Sequence, residues 1–155
     1  MMGRVQEEIE VNVGADQAWK LYGSLELPNL LKEKLKNIIL TLNIQGDGGV
    51  GTIIELVLQP GIMGFSSYKE KYTKVDDENR VKETEVVEGG YLDSGFNLYR
   101  VRLEVIEKSK SSCITRATIE YDLKEEFAAN ASAVNIQPLV LVMQAAADHL
   151  LAQNP

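Results

Sequence analysis

From Val5 to Val13 apolar and polar side chains alternate. Val5, Ile9, Val11 and Val13 fall on one side, and Gln6, Glu8, Glu10 and Asn12 on the other. That is the period of a half-buried strand, with Glu7 out of step. The period then lengthens. "GADQAWKLYGSL" spaces Trp19 and Tyr22 as a helix does, and "LPNLLKEKLKN" gathers Leu30, Leu31 and Leu35 on one side, with Pro28 placed for a first turn. Next, "IILTLNIQ" and "TIIELVLQ" are strand-like runs joined by a glycine-rich bend. Pro60, Gly61 and Gly64 break the chain again. "SSYKEKYTKV" and "RVKETEVVE" flank "DDEN" as the arms of a hairpin, "EGGYLDSG" is a turn cluster, and "FNLYRVRLEVIEK" and "SSCITRATIEYDL" are long strands around "SKSS". The end is different. "EEFAANASAVNIQPLVLVMQAAADHLLAQ" is rich in Ala and Leu and predicts one long helix, kinked or locally unwound at Pro138.

This order predicts an α+β fold: an antiparallel sheet built from consecutive hairpins, with one terminal helix packed across it. A strongly curved sheet closed around a single helix leaves room for an internal cavity. The 155 residues are expected to form one domain, residues 1–155, long enough to bury a substantial core.

Composition narrows the partners. A formal net charge of -7 argues against a nucleic-acid backbone and against an anionic membrane surface. Cys113, the single cysteine, excludes an intrachain disulfide and sits in a strand-like run, so it is expected to be packed rather than reactive. The charged first ten residues contain no apolar signal region, and no apolar run is long enough to span a bilayer, so a cytoplasmic protein is expected. On the same ground the glycosylation sequon at Asn130 is expected to go unused.

Gly46, Gly48 and Gly51 match the G-x-G-x-x-G dinucleotide fingerprint. The fingerprint should open a helix, but Thr52 to Gln59 is a β-branched run and no Gly-Lys-Ser/Thr follows. The loop therefore reads as a hairpin connection, with Asp47 as a turn residue.

"GDGGVGT", "SSYKEKY", "VEGGYLDSG" and the late Ala-rich helix, in this order over nearly the whole chain, resemble the plant pathogenesis-related class-ten proteins, the birch-pollen-allergen family. The resemblance implies a curved seven-stranded antiparallel sheet wrapped around a long C-terminal helix. It also implies two short helices closing one end and an apolar pocket between. Members bind hydrophobic metabolites and phytohormones in defence or signalling. Within the family, "YKEKY" followed by "RVKE" is similar to the alkaloid-forming branch, the norcoclaurine and norbelladine synthases. These lyase-type enzymes condense dopamine with an aromatic aldehyde by imine formation or Pictet–Spengler cyclisation. The match places Tyr68, Glu70 and Lys82 on their catalytic tyrosine, glutamate and lysine. Val101 departs from the pattern of norcoclaurine synthase, which has an aspartate there, while norbelladine synthase is similar to this chain in being apolar at that position.

The spacing permits such a cluster. Tyr68, Glu70 and Tyr72 are two apart and share one face of a strand. If the turn centres on Asp77, Lys82 lies opposite Tyr72 and diagonal to Glu70, within reach of long side chains. Pattern alone favours a solvated hairpin whose Lys and Glu pair across the strands; the resemblance favours a functional cluster. In the functional reading Lys82 serves the carbonyl and carbinolamine oxygen, Glu70 takes the amine or ring proton, and Tyr68 orients the catechol or relays a proton. No cofactor and no metal is expected. Tyr72, Tyr91, Phe96, Tyr99, Val101, Leu139, Val142 and Met143 are expected around the substrate pocket, with at least one of the aromatic residues and the helical set serving as core first. His149 has no partner motif and reads as a surface or packed residue. The expected partners are a small aromatic amine and aldehyde, or another hydrophobic small molecule, with the protein a monomer or weak dimer.

Overall fold

Seven strands form one antiparallel sheet in the order β1-β7-β6-β5-β4-β3-β2, in a computed structural model that describes residues 1–154. The strands are β1 (Met2–Val11), β2 (Ile39–Gln45), β3 (Ile53–Leu58), β4 (Ser67–Asp76), β5 (Val81–Gly89), β6 (Phe96–Ser109) and β7 (Ser112–Leu123). From β2 to β7 each strand pairs with its sequence neighbour, and β1 adds to the far side of β7. Connections too short for a parallel crossover dictate this, since only antiparallel neighbours can be joined so tightly.

Helices α1 (Ala15–Tyr22) and α2 (Glu26–Lys34) lie between β1 and β2 in the chain, and α3 (Gln137–Gln153) ends it. In α1, Ala15, Ala18, Trp19, Leu21 and Tyr22 are buried, the stripe a short amphipathic helix needs. The Trp19 indole donates a hydrogen bond to Asp77 Oδ1 at 2.9 Å, and Arg80 reaches Asp16 at 2.7 Å. These contacts tie α1 to the β4–β5 turn. Pro28 sits in the first turn of α2, where its missing N–H costs nothing.

The long helix predicted from Glu125 onward is divided. Glu125–Ala133 forms irregular 3-10 turns, and α3 begins only at Gln137, with Pro138 in its first turn. Pro138 therefore starts a helix rather than kinking one, because its fixed φ suits a first turn and its ring excludes a preceding helical turn. Met143, Ala146 and Leu150 form the buried stripe of α3.

The glycine loop connects antiparallel strands β2 and β3. Gly46, Gly48 and Gly51 all have positive φ, and a Cβ on Gly46 would stand 2.9 Å from Thr52 Cα. The loop uses its own amides: Gly48 N–H donates to Thr52 Oγ1, Gly49 N–H to Asp47 Oδ1 and Gly51 N–H to the Tyr72 carbonyl, each at 2.9 Å. Those donors are spent within the fold. Cys113 is fully buried in the core between the sheet and the helices. Among the described residues no helix is long and apolar enough to cross a membrane.

Candidate active site

The β4–β5 hairpin carries the predicted cluster, in a register that differs from the expected one. Lys82 pairs with Val75, Tyr72 with Thr84 and Glu70 with Val86. The turn sits further along the chain than Asp77, because Arg80 takes a left-handed conformation at φ 54° and closes it. Two irregularities bracket the rows of Glu70 and Tyr72, one between Tyr72 and Lys74 and the other between Lys69 and Glu70. Thr73 on β4 and Val87 on β5 are left without pairing partners. Such bulges bend and twist the strands that carry them.

The two faces of the hairpin do different work. On the outer face Lys69 pairs with Glu88 at 3.3 Å and Glu55 at 3.9 Å, and Lys74 meets Glu83 at 4.0 Å. These are the solvated cross-strand pairs expected from the charge pattern alone. On the inner face Tyr68, Glu70, Tyr72, Lys82 and Thr84 together line a cavity of about 120 Å³. Val101, Leu139 and Val142 also line it, with α2 and β3 supplying further apolar walls. Thus period-two alternation sends neighbouring charges to opposite fates.

Lys82 is 3% exposed. It makes no ion pair within 4.0 Å among the described residues; its Nζ lies 4.8 Å from the centroid of the Tyr72 ring. Burial pulls its ammonium down from the ordinary 10.5 to about 8, with the charge of Glu70 opposing. Burial pushes the Glu70 carboxyl up from 4.5 to about 7, against the pull of Lys82 and a hydrogen bond from Thr84. The Thr84 hydroxyl donates to Glu70 Oε2 at 3.4 Å. The Tyr68 phenol is held well above its usual range, by burial first and by the Glu70 charge second. An acid and a base poised near neutrality therefore face one small chamber, the arrangement general acid–base chemistry requires.

A second, larger hollow of about 540 Å³ lies beside it. Phe65, Tyr91 and Phe96 line this hollow together with the 3-10 region before α3. Tyr68 stands edge-on to Phe65 at 5.8 Å, and Phe65 to Tyr91 at 4.8 Å, so aromatic rings separate the hollow from the inner chamber. Two expected pocket residues line neither space. Tyr99 is stacked on Tyr91 with centroids 3.6 Å apart, which covers its ring face. Met143 projects from α3 into the packing between the helices and β6–β7. His149 is half-buried near the end of α3, 3.2 Å from Gln153 Nε2. Thr84 escaped the sequence reading, because a threonine in a strand is ordinary; only its pairing opposite Tyr72 reveals a role. Among the described residues no group of three His, Cys, Asp or Glu side chains could hold a metal ion.

Residues 1–153 match the pathogenesis-related protein Bet v 1 family. The chain is 42% identical over 155 residues to norbelladine synthase of Narcissus pseudonarcissus, an alignment spanning 99% of this chain and 95% of that one. It is 35% identical over 153 residues to S-norcoclaurine synthase 2 of Papaver somniferum, spanning 97% of this chain but 66% of the poppy protein. In three dimensions it is similar to norcoclaurine synthase from Thalictrum flavum in complex with dopamine and hydroxybenzaldehyde. The TM-score is 0.90 at 34% identity, covering 98% of this chain and 88% of that one.

Proposed function

Because the chain belongs to the Bet v 1 family of pathogenesis-related proteins, and because Lys82 and Glu70 face one chamber and both titrate near neutrality there, we propose that it joins dopamine or a related arylethylamine to an aromatic aldehyde. Norbelladine synthase and the dopamine-bearing norcoclaurine synthase structure, both similar to this chain along most of its length, support the same reaction class. The observation that carries the proposal is the buried, unpaired Lys82 facing the cavity beside Glu70.

The steps follow from the chamber. The neutral amine nitrogen attacks the aldehyde carbon, and the Lys82 ammonium donates a proton to the carbonyl oxygen. Glu70 removes the proton that the attacking nitrogen sheds. The proton held by Glu70 then passes through water to Lys82, which restores both groups, and the carbinolamine hydroxyl leaves as water after this second proton from Lys82, giving the iminium. The apolar walls favour this dehydration by excluding bulk water. Where the ring closes, a catechol carbon attacks the iminium carbon and the displaced ring proton passes to Glu70. Tyr68 hydrogen-bonds the catechol or relays that proton. When the ring closes Lys82 has given two protons and Glu70 has taken two, so the sequence is proton-neutral; stopping at the iminium draws one proton from solvent, and neither route consumes an oxidant.

Val101 favours a second reading, a non-catalytic carrier of hydrophobic metabolites or hormones, since an apolar group stands where norcoclaurine synthase has an aspartate. One experiment separates the two. Purified protein is incubated with dopamine and 4-hydroxyphenylacetaldehyde, and separately with dopamine, 3,4-dihydroxybenzaldehyde and a reductant that traps the imine. Product above the protein-free rate, with enantiomeric excess where a ring forms, supports the enzyme. Product at the background rate with every aldehyde, alongside displacement of an apolar fluorescent probe, leaves the carrier.

A further inference from the structure

A lysine and a glutamate sharing a small apolar chamber should attract each other strongly, since screening by water is weak there. In a closed ion pair the carboxylate would be a poor base and the ammonium a poor acid. Yet Lys82 and Glu70 form no ion pair within 4.0 Å. Each is engaged by a different neighbour. Thr84 Oγ1 donates to Glu70 Oε2 at 3.4 Å, and the Tyr72 ring lies 4.8 Å from Lys82 Nζ.

The register explains the separation. Glu70 pairs with Val86, Lys82 with Val75, and Tyr72 with Thr84 in the row between them. Four residues along β5 separate Lys82 from the row of Glu70, roughly 13 Å at the backbone. That lies at the limit of two extended long side chains, which would have to lean toward each other along the sheet, and the Tyr72–Thr84 row stands between them. Tyr72 and Thr84 are themselves buried, at 2% and 6% exposure, and so are fixed by packing.

We propose that the cross-strand pair Tyr72–Thr84 is a spacer that prevents Glu70 and Lys82 from neutralising each other, with Thr84 anchoring the carboxylate and Tyr72 holding the ammonium on its ring face. Both are positioning residues. The proposal rests on the condensation reading for its consequence to turnover, but not for its geometry. The other titratable groups near the pair are phenols: Tyr68 and Tyr72 on β4, Tyr99 on β6 and Tyr91 before it. Strand β3 and helices α2 and α3 face the chamber with apolar side chains only.

The test turns on the direction of a change. In Thr84→Val, simple loss of a hydrogen bond to the carboxylate would raise the Glu70 titration midpoint. Release of the carboxylate toward Lys82 would lower it. In Tyr72→Leu, simple loss of the ring would lower the Lys82 midpoint, whereas release toward Glu70 would raise it. The midpoints are read by NMR on carboxyl-13C glutamate and side-chain 15N lysine, assigned with Glu70→Gln and Lys82→Met. Expected are a downward move for Glu70 and an upward move for Lys82, each of about one pH unit or more, the size an approaching opposite charge produces. Thr84→Ser and Tyr72→Phe keep the hydroxyl and the ring, and should keep both midpoints near wild type. Moves in the opposite directions, or unmoved midpoints, overturn the spacer. Thr84→Val is nearly isosteric, so the carboxylate arm stands even if Tyr72→Leu does not fold. The titration needs no substrate. A protein that turns nothing over but shows these moves would sink the condensation reading alone; active protein without them would sink the spacer alone.

Discussion

Replacing Lys82 by methionine should make the protein more stable while destroying its chemistry. The magnitude follows from burial. The Lys82 ammonium titrates at about 8 in the folded chain, against 10.5 when free. Each pH unit of displacement is worth about 1.4 kcal/mol, so holding the charge at pH 7 costs the fold about 3 kcal/mol. Methionine has similar length and no charge, and it suits the apolar walls contributed by Leu139, Val142 and Val101. It forfeits the contact of the ammonium with the Tyr72 ring, worth about 0.5–2 kcal/mol. The Glu70 carboxyl, already at about 7, rises further once its cation is gone and is neutral at pH 7, leaving no stranded anion. The net gain is about 2 kcal/mol. For a chain of this size that is a rise in Tm of about 4–8 °C.

The sign of the pH dependence is fixed by linkage. A lysine depressed in the folded state burdens that state fully below its folded midpoint. The burden disappears as pH rises toward the unfolded value, so wild type gains stability between about 8 and 10.5. Lys82→Met has no such gain, and its advantage should shrink over the same window. Calorimetric melts of both proteins from pH 6.5 to 10.5 measure the difference directly. A variant that melts at or below wild type at pH 7, or a difference unchanged with pH, would refute the claim that Lys82 is held charged at a cost.

Turnover should follow a narrow bell in pH. Glu70 must be ionised to act as base, so the rate rises through about 7; Lys82 must be protonated to act as acid, so it falls through about 8. Initial rates from pH 5.5 to 9.5 check this, and a flat profile would remove both groups from the chemistry. Glu70→Gln should lower kcat by about 10²–10⁴-fold, the usual contribution of a placed acid–base group. Tyr68→Phe should cost less, about tenfold, because an orienting phenol adds to a base that remains. Val101→Asp sets a second carboxylate opposite Thr84; chiral chromatography should then find more ring-closed product relative to open imine, with a lower Tm from the added buried charge.

The strands were legible because alternation along them is nearly unbroken. In β5 Lys82, Thr84 and Val86 are buried while Glu83 and Glu85 between them are partly exposed, a period that breaks only at the unpaired Val87. That Tyr68, Glu70 and Tyr72 share a face was readable on the same ground. The pairing of Lys82 was not. It depends on where Arg80 closes the turn and on the unpaired Thr73, and neither has a local signature. The terminal region misled for a related reason: alanine-rich composition outweighed the start signal at Pro138, which marks a first turn as readily as a kink. Tyr99 and Met143 are apolar residues on inward faces. Whether such a side chain meets a cavity or another side chain is decided by tertiary packing, as the Tyr91–Tyr99 stack illustrates. Thr84 needed the sheet itself, since its importance is its row.

The unpaired residues Thr73 and Val87 also set where this hairpin can change length. Each is the extra residue of a local mismatch, so deleting either restores regular pairing around it and leaves Glu70, Tyr72, Lys82 and Thr84 facing inward. Deleting Glu83 instead would turn Lys82 to the outer face, among the carboxylates, because a one-residue slip reverses every side chain beyond it. The deletion of Thr73 should therefore fold and keep measurable turnover, and the deletion of Glu83 should lose it, a contrast that circular dichroism and a single-point assay can read. Chains descended from a common ancestor could gain or lose a residue at these two positions, and flatten or bend the hairpin, while the same side chains keep facing the chamber.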